Sequence, residues 1–327
     1  MVALEAGIAA ALSVAVGIPH LLPLHKVNPA TAAIVWLAAL AVRALVAIGA
    51  AGFAFLYMPQ TGLYDAVAHW CWHKVLPVMV THLGFSGHPV IHTAILLPTL
   101  ALGTSVLWLL FGLARAWLLV RTRLRRAVGV GPLGSTVIAD NDVIVGVTGV
   151  GRGRILVSRR ALGVMDADEL QASLSHELGH LRRRHRPLLL IASLLSALGR
   201  VLPGTRMAER ELRFSLERDA DEYAVRKTRD PLALASAICK AATAQPLHGA
   251  HGLGSGGRVT LRLDYLSGHG PSPSRGLERA ARGLALVLTL MALALTVTVP
   301  SWALAVPRAE HTLSAAGSHC PAQTLRG

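Results

Sequence analysis

Residues 166–186 read DADELQASLSHELGHLRRRHR, and the organisation of the chain is decided around them. His176 and His180 stand four apart, so on an α-helix both imidazoles project from one face, with Glu177 directly after the first. Two imidazoles at this spacing beside a carboxylate form a zinc-binding pattern. His176 and His180 supply lone pairs to the metal, and Glu177 stays off it to take a proton from metal-bound water. Asp166 followed three residues later by Glu169 has the form of a capping box, which predicts a helix over about 167–185. The basic run of Arg182, Arg183, Arg184 and Arg186 suits the negative end of that helix's dipole and also an anionic membrane surface.

On the N-terminal side, short Val/Ile stretches broken by Gly and Asn-Asp (VIAD, VIVGVTGV, RILVS) lie between Val130 and Asp166 and predict strands and turns. On the C-terminal side, Pro187 to Leu202 is apolar but short for a span, and fits either a core helix or a shallow membrane-inserting hairpin. An amphipathic helix is expected over roughly 207–228 and another, opened by Pro231, over 231–245. The Gly/Ser/Pro-rich stretches at 247–257 and 267–276 predict loops.

Two histidines do not close a catalytic zinc site, which takes three protein ligands and an exchangeable water. Ser215-Leu216-Glu217-Arg218-Asp219-Ala220-Asp221 puts Glu217 and Asp221 four apart on one helix face. Glu217 could coordinate the metal while Asp221 accepts a hydrogen bond from the far nitrogen of a ligating histidine. An exposed charged helix, with Glu217 paired to Arg213, is the alternative. The upstream pattern tips the reading towards ligation.

The chain is 53% hydrophobic and 15% charged over 327 residues, with a mean hydropathy of +0.50, which is the composition of an integral membrane protein. Apolar runs at about 2–22, 31–58, 90–120 and 284–306 are each long enough to cross a bilayer. Arg43 falls mid-run and is expected to face other helices, whereas Arg115 lies near a run's end and can snorkel. The first run lacks a basic leader and carries Glu5, so it is expected to be retained as a span.

The cluster Arg121, Arg123, Arg125 and Arg126 puts the end of the third run in the cytoplasm by the positive-inside rule. Residues 121–283 hold 26 Lys+Arg against 15 Asp+Glu, most of the net +14. The arginines are scattered without a recognition-fold signature, so an anionic leaflet is the expected partner and nucleic acid is not. Cys71, Cys239 and Cys320 form no CxxC pair and no disulfide framework.

Taken together, residues 154–226 resemble the membrane-embedded gluzincin peptidases: HtpX-type quality-control proteases, CAAX prenyl endoproteases and the peptidases of β-lactam sensor-transducers. RILVSRRALGVMDADELQASLSHELGH is similar to the family's substrate-edge strand, turn and active-site helix, and ERDAD to its ExxAD element. The resemblance implies His176, His180 and Glu217 as ligands of one Zn2+ per chain, Glu177 as general base, and Asp221 as partner of a ligand, preferentially His176. Three spans before the catalytic segment and one after it look most like the sensor-transducer branch, with a short tail expected outside. Arg258-Val259 and Arg262-Leu263 are similar to an Arg-hydrophobic element of HtpX-type proteins, whose preceding His-Pro this chain lacks. Tyr223, His248, His251 and Arg258 are candidates for oxyanion or substrate contacts, with a structural role the favoured reading for Tyr223, His248 and His251.

The expectation is a mainly α, polytopic membrane protein with about four transmembrane helices and a cytoplasmic zincin-like α+β catalytic domain. It divides into a membrane domain with three spans (1–120), a zinc metallopeptidase domain (121–283), a final span (284–306) and an extracytoplasmic tail (307–327). The expected activity is zinc-dependent cleavage of a protein or peptide at the cytoplasmic membrane face, with the strand near 154–158 holding the substrate backbone. The alternative is a noncatalytic sensor or scaffold with a structural zinc. Between His69 and His92 an outer segment rich in His and Trp is read as an interfacial amphipathic stretch, with a metal or pH sensor as the other reading.

Overall fold

The computed structural model describes residues 12–13, 15–56, 89–148, 153–243, 258–268 and 274–305. Most of the first apolar run, the outer segment from 57 to 88, the stretch 244–257 with His248 and His251, and the tail after 305 lie outside the described residues.

The motif helix is the reference element. Asp166 Oδ1 accepts from Glu169 N and Glu169 Oε2 accepts from Asp166 N, both at 2.9 Å, so the capping box starts the helix Ala167–Arg182. Glu169 is buried and also accepts from Ser236 Oγ at 2.5 Å and Lys240 Nζ at 2.6 Å, both on the helix Pro231–Thr243. One carboxylate thus caps one helix and binds it to another. The C-terminal end differs from expectation, because the helix stops at Arg182 rather than running to 185. Arg184 takes a left-handed backbone (φ 55) and a new helix, His185–Leu198, begins at once.

In chain order the elements are α1 (Pro29–Leu56), α2 (Pro89–Leu124), β1 (Ala127–Val130), β2 (Thr136–Ile138), β3 (Val145–Thr148), β4 (Arg154–Ser158), α3 (Arg159–Val164), α4 (Ala167–Arg182), α5 (His185–Leu198), α6 (Thr205–Thr228), α7 (Pro231–Thr243), α8 (Val259–Leu266) and α9 (Arg275–Ala305). The apolar stretch from 187 is therefore a 14-residue helix, α5, packed on α1, α2 and α6. The sheet has the order β1-β2-β4-β3, with β2 parallel to β4 and the other pairs antiparallel. β4 is paired on both sides, which corrects the reading of 154–158 as the substrate-edge strand. Among the described residues the strand that packs most against α4 and has a single neighbour is β3.

One core packs on α4 and a second on α6. Val143, Val145, Val147, Ile155 and Val157 from the sheet region close over Met165, Leu174 and Ala237. A second core joins Val35 and Leu40 of α1, Leu212 and Leu216 of α6, and Ala281 and Leu288 of α9. Three described helices are long and apolar enough to cross a membrane, over Pro29–Gly52, Gly103–Thr122 and Arg275–Thr298. On α2, Leu107, Trp108, Phe111 and Trp117 are all more than half exposed, an apolar surface that suits lipid rather than water. Arg43, within the first of these helices, is fully buried and donates to Val16 O at 2.5 Å and Ala39 O at 3.2 Å, with its Nη2 2.8 Å from His20 Nε2. It faces other helices, as a charge in a span must.

Candidate metal centre

α4 and α6 cross where α4 has no side chain. A Cβ on Gly179 would meet Tyr223 Cβ and Cδ1 at 3.2 Å and Ala220 Cα at 3.3 Å, so glycine at this position lets the two backbones come close. That approach brings the Glu217–Asp221 face of α6 against the His176–His180 face of α4.

His176 Nε2 lies 3.1 Å from His180 Nε2 and 3.4 Å from Glu217 Oε2, and His180 Nε2 lies 3.6 Å from Glu217 Oε1. Donors about 2.0–2.1 Å from a tetrahedral zinc stand ~3.4 Å apart. The three atoms therefore have the separations and the chemistry, two imidazole nitrogens and a carboxylate oxygen, that such an ion requires. His176, His180 and Glu217 are also the group that could hold a metal among the described residues. The helix pair Glu217–Arg213 does not form: Arg213 bonds Glu209 at 2.7 Å instead.

Behind the donors, His176 Nδ1 lies 2.8 Å from Asp221 Oδ1, although tilted off the line of an ideal hydrogen bond. Asp221 is buried and clamped by Arg262, whose Nε and Nη2 donate to its two oxygens at 2.8 and 2.7 Å. The same guanidinium reaches Glu217 Oε2 at 3.1 Å. Burial favours the neutral form of Glu217, but His176, His180 and Arg262 outweigh it and hold this carboxyl well below the usual range. Asp221 is likewise held low, against burial, by Arg262 and His176.

The two imidazoles respond in opposite directions. Burial opposes a charge on His176, yet Asp221 and Glu217 push its pKa up to about 10. Burial, reinforced by the neighbouring His176, drops His180 to about 3 despite Glu217. Glu177 is buried beside them, and burial pushes its carboxyl up to about 7.

The remaining sequence candidates fall elsewhere. Tyr223 sits in the α4–α6 crossing with the Arg183 guanidinium 5.7 Å from its ring centre. Arg258 is engaged by Glu211 in a bidentate pair and lies 4.8 Å over the Phe214 ring, which removes it from the metal-facing group. Sequence reasoning missed three participants. Arg262 had been noted only as part of an Arg-hydrophobic element. His185 and Asp219 were not singled out, though His185 Nδ1 lies 2.9 Å from His180 Nδ1 and its Nε2 lies 3.0 Å from Asp219 Oδ2. An acidic residue two before Asp221 and a histidine five after His180 were visible, but neither spacing shares a helix face with the donors.

Residues 140–215 match the family model of peptidase family M48. The match runs from the turn before β3 to the middle of α6, and the family it resembles is one of zinc metallopeptidases. No curated protein and no solved structure matches the chain. The matched segment contains His176, Glu177 and His180 and ends two residues before Glu217, so the third donor rests on the geometry and the ERDAD spacing and not on the match.

Proposed function

We propose that this chain, which carries an M48 peptidase segment, is a membrane-bound zinc-dependent endopeptidase. The observation that carries the reading is the convergence of His176 Nε2, His180 Nε2 and a Glu217 oxygen at 3.1–3.6 Å, with the Glu177 carboxyl beside them. Zinc held by these atoms would polarise a scissile carbonyl and acidify a water. Glu177, buried beside them, would take the water's proton and pass it to the leaving amine. A base poised in this way has no use in a purely structural zinc site. Asp221 orients His176, and Arg262 keeps Asp221 and Glu217 ionised.

β3 offers its outer edge to an extended substrate segment, which would add a strand antiparallel or parallel to Val145–Thr148 through main-chain hydrogen bonds. The spans and the arginine cluster at 121–126 support a location in the cell membrane with the metal centre on the cytoplasmic side. The test is a comparison of new protein N-termini in cells expressing wild type and Glu177→Gln. The reading expects cleavage products, enriched in membrane proteins, that vanish in the variant, and identical N-terminal profiles would refute it.

A further inference from the structure

His176 has a carboxylate at its back. His180 has a second histidine, and behind that a second carboxylate. His180 Nδ1 is 2.9 Å from His185 Nδ1, and His185 Nε2 is 3.0 Å from Asp219 Oδ2. His185 and Asp219 are 2% and 4% exposed, so each polar atom must find its partner within the protein. Arg183 closes the chain by donating to the other oxygen of Asp219. On a continuous helix His185 would point about 140° away from His180. The left-handed turn at Arg184 is what brings it back underneath.

With both imidazoles neutral, the polarity of this chain has one consistent solution, assigned from the network. Asp219 takes the Arg183 guanidinium on one oxygen and faces His185 Nε2 with the other, so it is the acceptor and His185 carries its proton on Nε2. His185 Nδ1 is then bare and accepts, so His180 carries its proton on Nδ1. His180 Nε2 is left with a lone pair on the side facing His176 and Glu217. We propose that His185 and Asp219 are positioning residues that fix His180 in the tautomer and orientation that offer Nε2 to zinc, through two bonds what Asp221 does for His176 through one. The inference rests on the metal reading above. It adds a relay that begins on the opposite face of α6 from Glu217 and Asp221.

An isosteric change makes the test sharp. In Asp219→Asn, Arg183 still demands an oxygen at the position it contacts, so the amide NH2 falls opposite His185 Nε2. The amide donates, His185 moves its proton to Nδ1, and the proton of His180 is driven to Nε2, where zinc should bind. Loss of the right tautomer by an Asp→Asn change is a known way to disable a histidine without disturbing its geometry.

Full-length protein in detergent is stripped of metal and titrated with zinc against a chelator, and the visible spectrum of the cobalt-substituted form is recorded alongside. Asp219→Asn and His185→Phe are expected to weaken zinc roughly 10- to 100-fold and to alter the cobalt spectrum. His185→Gln, whose amide can accept from His180 and donate to Asp219, is expected to recover most of the affinity. Arg183→Gln, which removes one support of the Asp219 carboxylate but leaves the His185–Asp219 and His180–His185 bonds in place, is expected to fall less than Asp219→Asn. Wild-type affinity and spectrum in Asp219→Asn and His185→Phe would overturn the inference while leaving the metal site intact. A fall in Arg183→Gln as deep as in Asp219→Asn, with no rescue by His185→Gln, would also overturn it, by showing that packing alone is at stake. Absence of zinc binding in wild type would overturn both readings.

Discussion

Arg262 serves two carboxylates with one guanidinium, and its loss should be felt differently with and without metal. In the zinc-free protein, Arg262→Met leaves the buried Asp221 and the partly exposed Glu217 facing each other with the imidazoles of His176 and His180 to offset them. Breaking a buried pair costs about 3–5 kcal/mol, and the low end applies because Glu217 is a third exposed. A bound cation restores much of that balance. The expected outcome is a larger drop in unfolding temperature for the zinc-free variant than for the zinc-bound one, read by thermal denaturation of both forms. Equal drops would show that the arginine acts by packing. The sequence marked this residue only through the likeness of Arg262-Leu263 to an Arg-hydrophobic element, with no role attached: it stands 41 positions beyond Asp221, and no periodicity links them. The Glu217–Asp221 face, by contrast, was legible, because a four-residue spacing translates directly into a shared helix face.

At the scale of elements, the meeting of α4 and α6 depends on Gly179. Gly179→Ala places a methyl 3.2–3.3 Å from Tyr223 and the Ala220 backbone, tighter than the crossing can accept without separating. Overpacking of this kind costs about 1–3 kcal/mol. It should weaken zinc binding more than Gly163→Ala, where nothing lies within 4 Å of the added carbon. Equal zinc affinity in the two variants would show that the crossing has slack.

The capping box allows a pH prediction. Burial raises the Glu169 carboxyl, but Lys240, Ser236 and the Asp166 amide outweigh it, so the folded pKa lies below the ordinary 4.5. A depressed carboxyl contributes stability above its unfolded pKa and loses it as pH falls through the folded one. Glu169→Gln should therefore be clearly less stable than wild type at neutral pH. The gap should close progressively below pH 4.5, measured by chemical denaturation across pH. A gap that stayed constant into acid would assign the effect to shape rather than charge.

The start of α4 was readable because a cap is a local pattern. Its end was not, because three consecutive arginines are good helix formers and only the tertiary fold makes Arg184 turn left-handed. The interior position of β4 was hidden for a related reason. The β3–β4 hairpin is sequence-adjacent and evident, whereas the parallel pairing of β2 with β4 joins strands across an intervening element and leaves no local trace.

At the scale of the whole molecule, α6, which carries Glu217, packs into the long apolar helices. Its Leu212 and Leu216 share a core with Val35 and Leu40 of α1 and Leu288 of α9. The apolar runs were legible as long hydrophobic stretches. Their packing against α6 was not, because apolar composition tells how much is buried and not against what. The proposed orientation has a direct test in Cys239, which is exposed on α7. In a variant retaining this cysteine alone, a membrane-impermeant thiol reagent should leave it unlabelled in intact cells and label it after lysis. Labelling from outside would place the metal centre on the other face.

The central claim, a zinc site built by three side chains and worked by a fourth, is tested most directly by the zinc content of purified full-length variants. His176→Ala, His180→Ala and Glu217→Ala should each lose the single zinc held by wild type, because each removes a lone pair from the cluster. Glu177→Gln should keep one zinc per chain and lose peptide hydrolysis, because it removes only the base. A full complement of zinc in Glu217→Ala, or hydrolysis by Glu177→Gln at the wild-type rate, would contradict the account.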